Sequence, residues 1–210
     1  MFTKSQILIF VILIFSGLWF FMSSPVDVRI IDNNQTQAKL LANWSQGNVV
    51  ALIRHTERCD RSDEPCLEAG KKVGITVRGE KKAQEVAQGI ENLLPINNTD
   101  IYNSPVKRTK QTAYIIFNGK SIEQDWLRKD CKNNFLNKII DHKHNDKNMI
   151  LVTHATCMAD MKLEGKDFIK NNIKNNQSYG ISYFFIINKK ERQAYMLGYI
   201  NPEDWPLLSK

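Results

Sequence analysis

The stretch VVALIRHTER, residues 49–58, decides the fold. Val49 to Ile53 is a continuous apolar run, the pattern of a strand buried on both faces in a parallel sheet. Gly47-Asn48 marks the turn before it. Where the run stops, the chain reads Arg54-His55-Thr56-Glu57-Arg58. In open α/β sheets ligands gather beyond the carboxyl ends of the strands, so function is expected at this edge.

Two further segments repeat the arrangement. Met149 to Val152 is a second short apolar run, ending in Thr153-His154. A short strand around Ile101-Tyr102 leads into Asn103-Ser104-Pro105. Between the first and second strands lies a loop from Arg58 to Gly74, holding Pro65, Gly70, Cys59 and Cys66. Thr76 can cap a helix predicted from Val77 to about Leu93, with Val86, Ile90, Leu93 and Leu94 on one face; Pro95 stops it. Ser104 is a candidate N-cap, with Pro105 at the first helical position of a helix to about Phe117. Another helix is predicted over Cys131 to Ile140, and a β-hairpin over Ile181–Ile187 and Tyr195–Ile200. Alternating strands and helices predict an α/β fold with a mostly parallel central sheet.

The chain has 210 residues, enough for one domain with a real core. Residues 1–24 are read as a signal anchor or signal peptide, residues 25–46 as a linker with a short helix ending near Trp44, and residues 47–210 as the catalytic domain. The run 7–22 is apolar except for Ser16 and Gly17 and follows Lys4. As a helix it spans about 24 Å, slightly short of a hydrocarbon core of roughly 30 Å. It lacks small residues spaced as a cleavage site requires, which favours an uncleaved inner-membrane anchor over a signal peptide. The domain beyond it would face the periplasm.

Cysteine usage agrees with export. None of Cys59, Cys66, Cys131 and Cys157 forms a CxxC motif. In an oxidising compartment Cys59 and Cys66 can close a small loop and the other two pair by elimination; the alternative is buried free thiols. The formal charge of +7 favours anionic partners, but no basic run is interleaved with aromatics as in a nucleic-acid binder.

Three strand ends thus present Arg and His: Arg54-His55 with Arg58, Arg108 in SPVKRTKQTA (104–113), and His154. Guanidinium groups donate paired hydrogen bonds to phosphate oxygens. An imidazole is a nucleophile when one nitrogen is free and the other is held. Fixed cations contribute most when charge spreads over the transferring phosphoryl group. The set predicts a phosphoryl pocket.

These segments resemble the histidine phosphatase superfamily. Arg54-His55 with Arg58 is similar to its RHGxR start, with Thr56 standing where the superfamily usually has Gly. Residues 104–113 resemble its S-P-x-x-R-T-x-Q-T-A segment, and Thr153-His154 its second catalytic histidine. Gly74-Ile75-Thr76-Val77-Arg78-Gly79 is similar to its L-T-x-x-G helix start. The run from His55 to Ser62, with Cys66-Leu67, looks like the lipopolysaccharide core heptose(II)-phosphate phosphatase branch, whose members are exported. The resemblance implies a three-layer α/β/α sandwich of phosphoglycerate mutase type. It implies a phosphohistidine at His55, phosphoryl oxygens held by Arg54, Arg58, Arg108 and His154 with Ser104 in the site, and two displacements without a metal or cofactor. The substrate would be a phosphorylated sugar of the lipopolysaccharide core; the alternatives are a general periplasmic acid or sugar phosphatase, or a non-catalytic phosphate-binding module. The proton donor is expected among Glu57, Asp60 and Asp130.

Other features read as structural. His142-Lys143-His144 is predicted as exposed loop rather than a metal site, Asn171 to Asn176 as a surface turn, and Trp126 and Trp205 as core.

Overall fold

The computed structural model describes residues 29–128, 131, 134–161 and 179–208. The hydrophobic run 7–22, the Asn171–Asn176 stretch and Asp130 lie outside them. Among the described residues no helix is long and apolar enough to cross a membrane.

Helix α1 (Asn34–Ser45) precedes strand β1 (Val49–Arg54), and α2 (Val77–Leu93) leads to β2 (Thr99–Asn103). Then come α3 (Lys107–Phe117), β3 (Ile122–Glu123) and α4 (Phe135–His142). Strand β4 (Asn148–Thr153) runs into the short α5 (Ala155–Met158), and β5 (Ser182–Asn188) pairs with β6 (Gln193–Ile200). The sheet order is β3-β2-β4-β1-β5-β6. β3, β2, β4 and β1 are parallel, while β5 and β6 form the antiparallel edge. The mostly parallel α/β expectation therefore holds.

Both faces of the central strands are covered. Val49, Ala51 and Ile53 pack with α1, α2, α3 and the C-terminal turn Pro202–Leu207. Val50 and Leu52 pack on the opposite side, with Trp126, Phe135, Ile139 and Met158. Every residue of β1 and of β4 is buried, which is why each reads as an unbroken apolar run. Trp205 is fully buried and Trp126 nearly so, as predicted. At Gly89 a side chain would lie 2.5 Å from the Trp205 Cβ, so α2 docks against Trp205 only because this position is glycine.

Thr76 caps α2 by accepting from the Gly79 amide at 2.9 Å, as predicted. Three local expectations change. α3 starts at Lys107 and Ser104 is not its cap, because the Ser104 hydroxyl is taken up by His154. α4 starts at Phe135 rather than Cys131, because Asp160 accepts from the amides of Asn134 and Phe135 (3.1 and 3.2 Å) and so fixes the first turn. Lys143 is not exposed: it is buried, its ammonium donates to the carbonyls of Gly47, His144 and Lys147, and burial lowers its pKa to about 8. Its histidine neighbours are exposed, His144 pairing with Asp100 at 2.6 Å and His142 stacking on Trp126.

The cysteines form two disulfides, Cys59–Cys66 and Cys131–Cys157. Each closes a loop of the unfolded chain and so disfavours unfolding, by about 2–4 kcal/mol in ordinary cases.

Candidate active site

Register alone brings the site together. Arg54 lies opposite Thr153 across the β1–β4 pair, and Asn103 opposite Val152 across β2–β4. The next residues, His55, His154 and Ser104, therefore leave three adjacent strands at the same edge. Backbone bonds hold them there: the His55 amide donates to the Thr153 carbonyl (3.0 Å), and the Ser104 amide to Val152 (3.1 Å).

Arg108, in the first turn of α3, ties the two imidazoles together. Its Nε donates to His55 Nε2 at 3.1 Å, and its Nη2 donates to His154 Nδ1 at 3.1 Å. His55 Nδ1 lies 2.8 Å from the Thr56 carbonyl, which can only accept, so Nδ1 carries the proton and Nε2 keeps its lone pair. By the same logic His154 Nε2 donates to the Ser104 hydroxyl at 3.0 Å. Both rings are neutral. Burial pushes the His55 pKa well below its ordinary value, reinforced by His154, Arg108 and Arg54. Burial, then Arg108, brings His154 to about 4.

Thr56 occupies the superfamily's glycine position without strain, its φ not being positive. It is fully buried, with its amide donating to Thr112 Oγ1 (3.1 Å) and its hydroxyl 3.2 Å from the same atom. Thr112 in turn donates to the Arg108 carbonyl at 2.8 Å, so the histidine loop and the arginine helix share one hydroxyl. Gln111 accepts from the Ile75 amide (2.9 Å) and donates to Glu68 (3.0 Å), anchoring the loop ahead of α2. The QTA part of residues 104–113 thus has structural work that its sequence match did not specify.

Arg54 is nearly buried, its guanidinium carbon 4.1 Å above the Tyr179 ring. Arg58 is half-buried and paired with Asp60. Glu57 does not join the set. Its carboxylate accepts from Arg78 (2.8 and 2.6 Å), Thr76 (3.0 Å) and Ser62 (3.2 Å), and the Arg78 bonds lower its pKa. That direction is opposite to the one a proton donor needs. Asp60 is also lowered, first by Arg58, and it interacts with Arg108 as well. A separate open groove of about 510 Å³, lined by Leu67, Gln111, Tyr114 and Glu123 among others, contains none of these imidazoles or guanidiniums. Converging charge marks the site.

The depressed histidines make acid destabilising. His154 stays neutral down to about 4 when folded but titrates near 6.5 when unfolded. Its contribution is complete above 6.5 and drains as pH falls toward 4, amounting to about 2 kcal/mol between pH 7 and pH 5. His154→Gln should lose about 2 kcal/mol less unfolding free energy over that interval in urea titrations. An unchanged slope would show that His154 protonates as readily folded as unfolded.

Residues 50–128 match the histidine phosphatase superfamily, branch 1. Over 139 residues the chain is 37% identical to a lipopolysaccharide core heptose(II)-phosphate phosphatase of Shigella flexneri serotype 5b, covering 65% of this chain and 66% of that one. The counterpart of Escherichia coli strain K12 / DH10B is 36% identical over 137 residues, covering 64% and 65%. The chain therefore spans just under two thirds of the length of these relatives. Among solved structures, SixA from Agrobacterium tumefaciens shares the fold with a TM-score of 0.52 at 13% identity, covering 74% of this chain and 98% of that one. A phosphoserine phosphatase from Entamoeba histolytica, solved with 3-phosphoglyceric acid, gives a TM-score of 0.50 at 16% identity, covering 73% and 96%. Over residues 50–128 the chain is thus similar to the histidine phosphatase superfamily, and its fold agrees with that match.

Proposed function

We propose that the protein is a phosphomonoester hydrolase working through a phosphohistidine at His55. One observation carries the reading: the Thr56 carbonyl fixes the His55 tautomer, so the Nε2 lone pair faces the same space as Arg108 and His154. Among the described residues that lone pair accepts the Arg108 N–H. An entering phosphoryl dianion offers Arg108 a stronger, charge-assisted partner. As Arg108 turns to the phosphoryl oxygens, Nε2 is released for in-line attack.

His55 Nε2 then bonds to phosphorus while the bond to the substrate alcohol breaks and that oxygen takes up a proton. Arg54, Arg58, Arg108 and His154 balance the charge on the equatorial oxygens. Water next attacks phosphorus and returns a proton to the group that protonated the alcohol, the N–P bond breaks to restore neutral His55, and phosphate departs. For the proton we propose Asp60. Its pKa is held down chiefly by Arg58, and the loss of Arg58 to the phosphoryl group raises it in the direction a general acid requires.

The relatives named as lipopolysaccharide core heptose(II)-phosphate phosphatases support a phosphorylated core sugar as the substrate. Two disulfides and the apolar run 7–22 support a periplasmic site of action with an inner-membrane anchor. A general periplasmic sugar phosphatase would share the same chemistry.

Rapid denaturing quench of full-length protein into alkali during turnover should trap acid-labile, base-stable phosphate on His55, and His55→Ala should lower the rate by at least about 10³-fold. Mass analysis of treated lipopolysaccharide should show one phosphate lost from a core heptose. Wild-type turnover by His55→Ala would contradict the nucleophile; release only from small soluble esters would contradict the substrate. Asp60→Asn should cost about 10²-fold or more with alkyl phosphates but under about tenfold with p-nitrophenyl phosphate, whose leaving group needs no proton. Equal losses on both esters would remove Asp60 from that role.

A further inference from the structure

The antiparallel edge of the sheet supplies one more side chain to the phosphoryl pocket. The Arg54 amide donates to the Ile181 carbonyl at 3.0 Å, and Ile53 lies opposite Ser182. The chain entering β5 therefore passes directly over the end of β1. Just before that contact Gly180 takes a φ of +85°, and a Cβ there would meet Pro202 at 3.1 Å and the Thr56 methyl at 3.6 Å. A residue with a side chain would strain this turn. The turn lays the preceding residue, Tyr179, across Arg54 and His55.

The contacts are specific. Arg54 Cζ is 4.1 Å from the Tyr179 ring centroid. The His55 imidazole is 5.6 Å from the same ring, tilted by 40°. All three side chains are less than a tenth exposed.

A guanidinium donates hydrogen bonds within its plane and presents a flat, weakly hydrated face. Pairing with a carboxylate, as Arg58 does with Asp60, uses the in-plane donors. Stacking on an aromatic ring uses the face and leaves the donor edge in a fixed plane. We infer that Tyr179 is a positioning residue of the phosphoryl pocket. Its ring sets the plane in which Arg54 presents N–H groups to the phosphoryl oxygens, and it braces the His55 imidazole from the same side. This role rests on the phosphatase reading above, and Tyr179 lies beyond segments 54–58, 74–79, 104–113 and 153–154, which carry the family resemblance.

The test compares Tyr179→Phe, which keeps the ring, with Tyr179→Leu, which keeps bulk but removes the π face. The readouts are competitive inhibition by orthophosphate, the separate kcat and KM, the thermal midpoint, and the His55 Cε1–H NMR resonance in ligand-free protein. Tyr179→Phe should stay within about twofold of wild type in the orthophosphate inhibition constant, while Tyr179→Leu should raise it about tenfold under conditions where it is fully folded. Loss of the neighbouring ring should also shift the His55 resonance in Tyr179→Leu but not in Tyr179→Phe. If the leucine variant does not fold, phenylalanine, difluorophenylalanine and pentafluorophenylalanine at position 179 keep the shape while draining the ring face. Inhibition constants should then rise along that series. Wild-type inhibition by Tyr179→Leu, a flat fluorinated series, or an equal loss in Tyr179→Phe would each overturn the inference. Should wild type neither bind orthophosphate nor hydrolyse phosphomonoesters, the phosphatase reading fails. The His55 resonance then still decides the Tyr179 contact by itself.

Discussion

The pairing register of β2, β4 and β1 is the constraint on which the site depends. With Arg54 opposite Thr153 and Asn103 opposite Val152, the residues that follow all leave the sheet at one level. A slip of one residue would turn His55 or His154 toward the other face and bury the wrong side chains. That register is enforced by burial on both sides of the sheet, since every residue of β1 and β4 is buried and their apolar side chains alternate between two cores. Hydrophobic packing thus sets the geometry of the candidate site.

Burial also sets the protonation state. Two imidazoles beside three guanidiniums can share a confined space only while both rings are neutral, and desolvation drives both pKa values down. A neutral His55 is the nucleophilic form. On the proposed mechanism, the pocket is thereby charged for a dianion without protonating His55. The disulfides frame the same edge: Cys59 follows Arg58 directly, and Cys157 sits in the turn of helix that begins after His154. Both cross-links limit how far these loops can stray.

Much of this is legible in the chain. The apolar runs mark the buried strands, and the Arg and His residues at their ends mark the site, because a doubly buried strand and a phosphate-binding edge each have a one-dimensional signature. The Thr76 cap is equally local. What sequence misses depends on distant partners. Ser104 before Pro105 looks like a helix cap, but His154, fifty positions later, claims its hydroxyl. Lys143 looks exposed between two histidines, but three backbone carbonyls converge on its ammonium. The start of α4 escapes a local reading because Asp160, well beyond the helix, provides its first acceptors. Tyr179 carries no motif at all; its placement follows from the Gly180 turn and the antiparallel pairing of β5 with β1. Glu57 is acidic and close to His55 in sequence, yet Arg78 on α2 commits its carboxylate elsewhere.

The most direct measurement is a crystal structure of the full chain with orthovanadate. The account predicts vanadium bound in line to His55 Nε2, its equatorial oxygens contacted by Arg54, Arg58, Arg108 and His154, with Arg108 withdrawn from the imidazole lone pairs. Vanadate seated away from His55, or bound while Arg108 still bridges the two histidines, would contradict it.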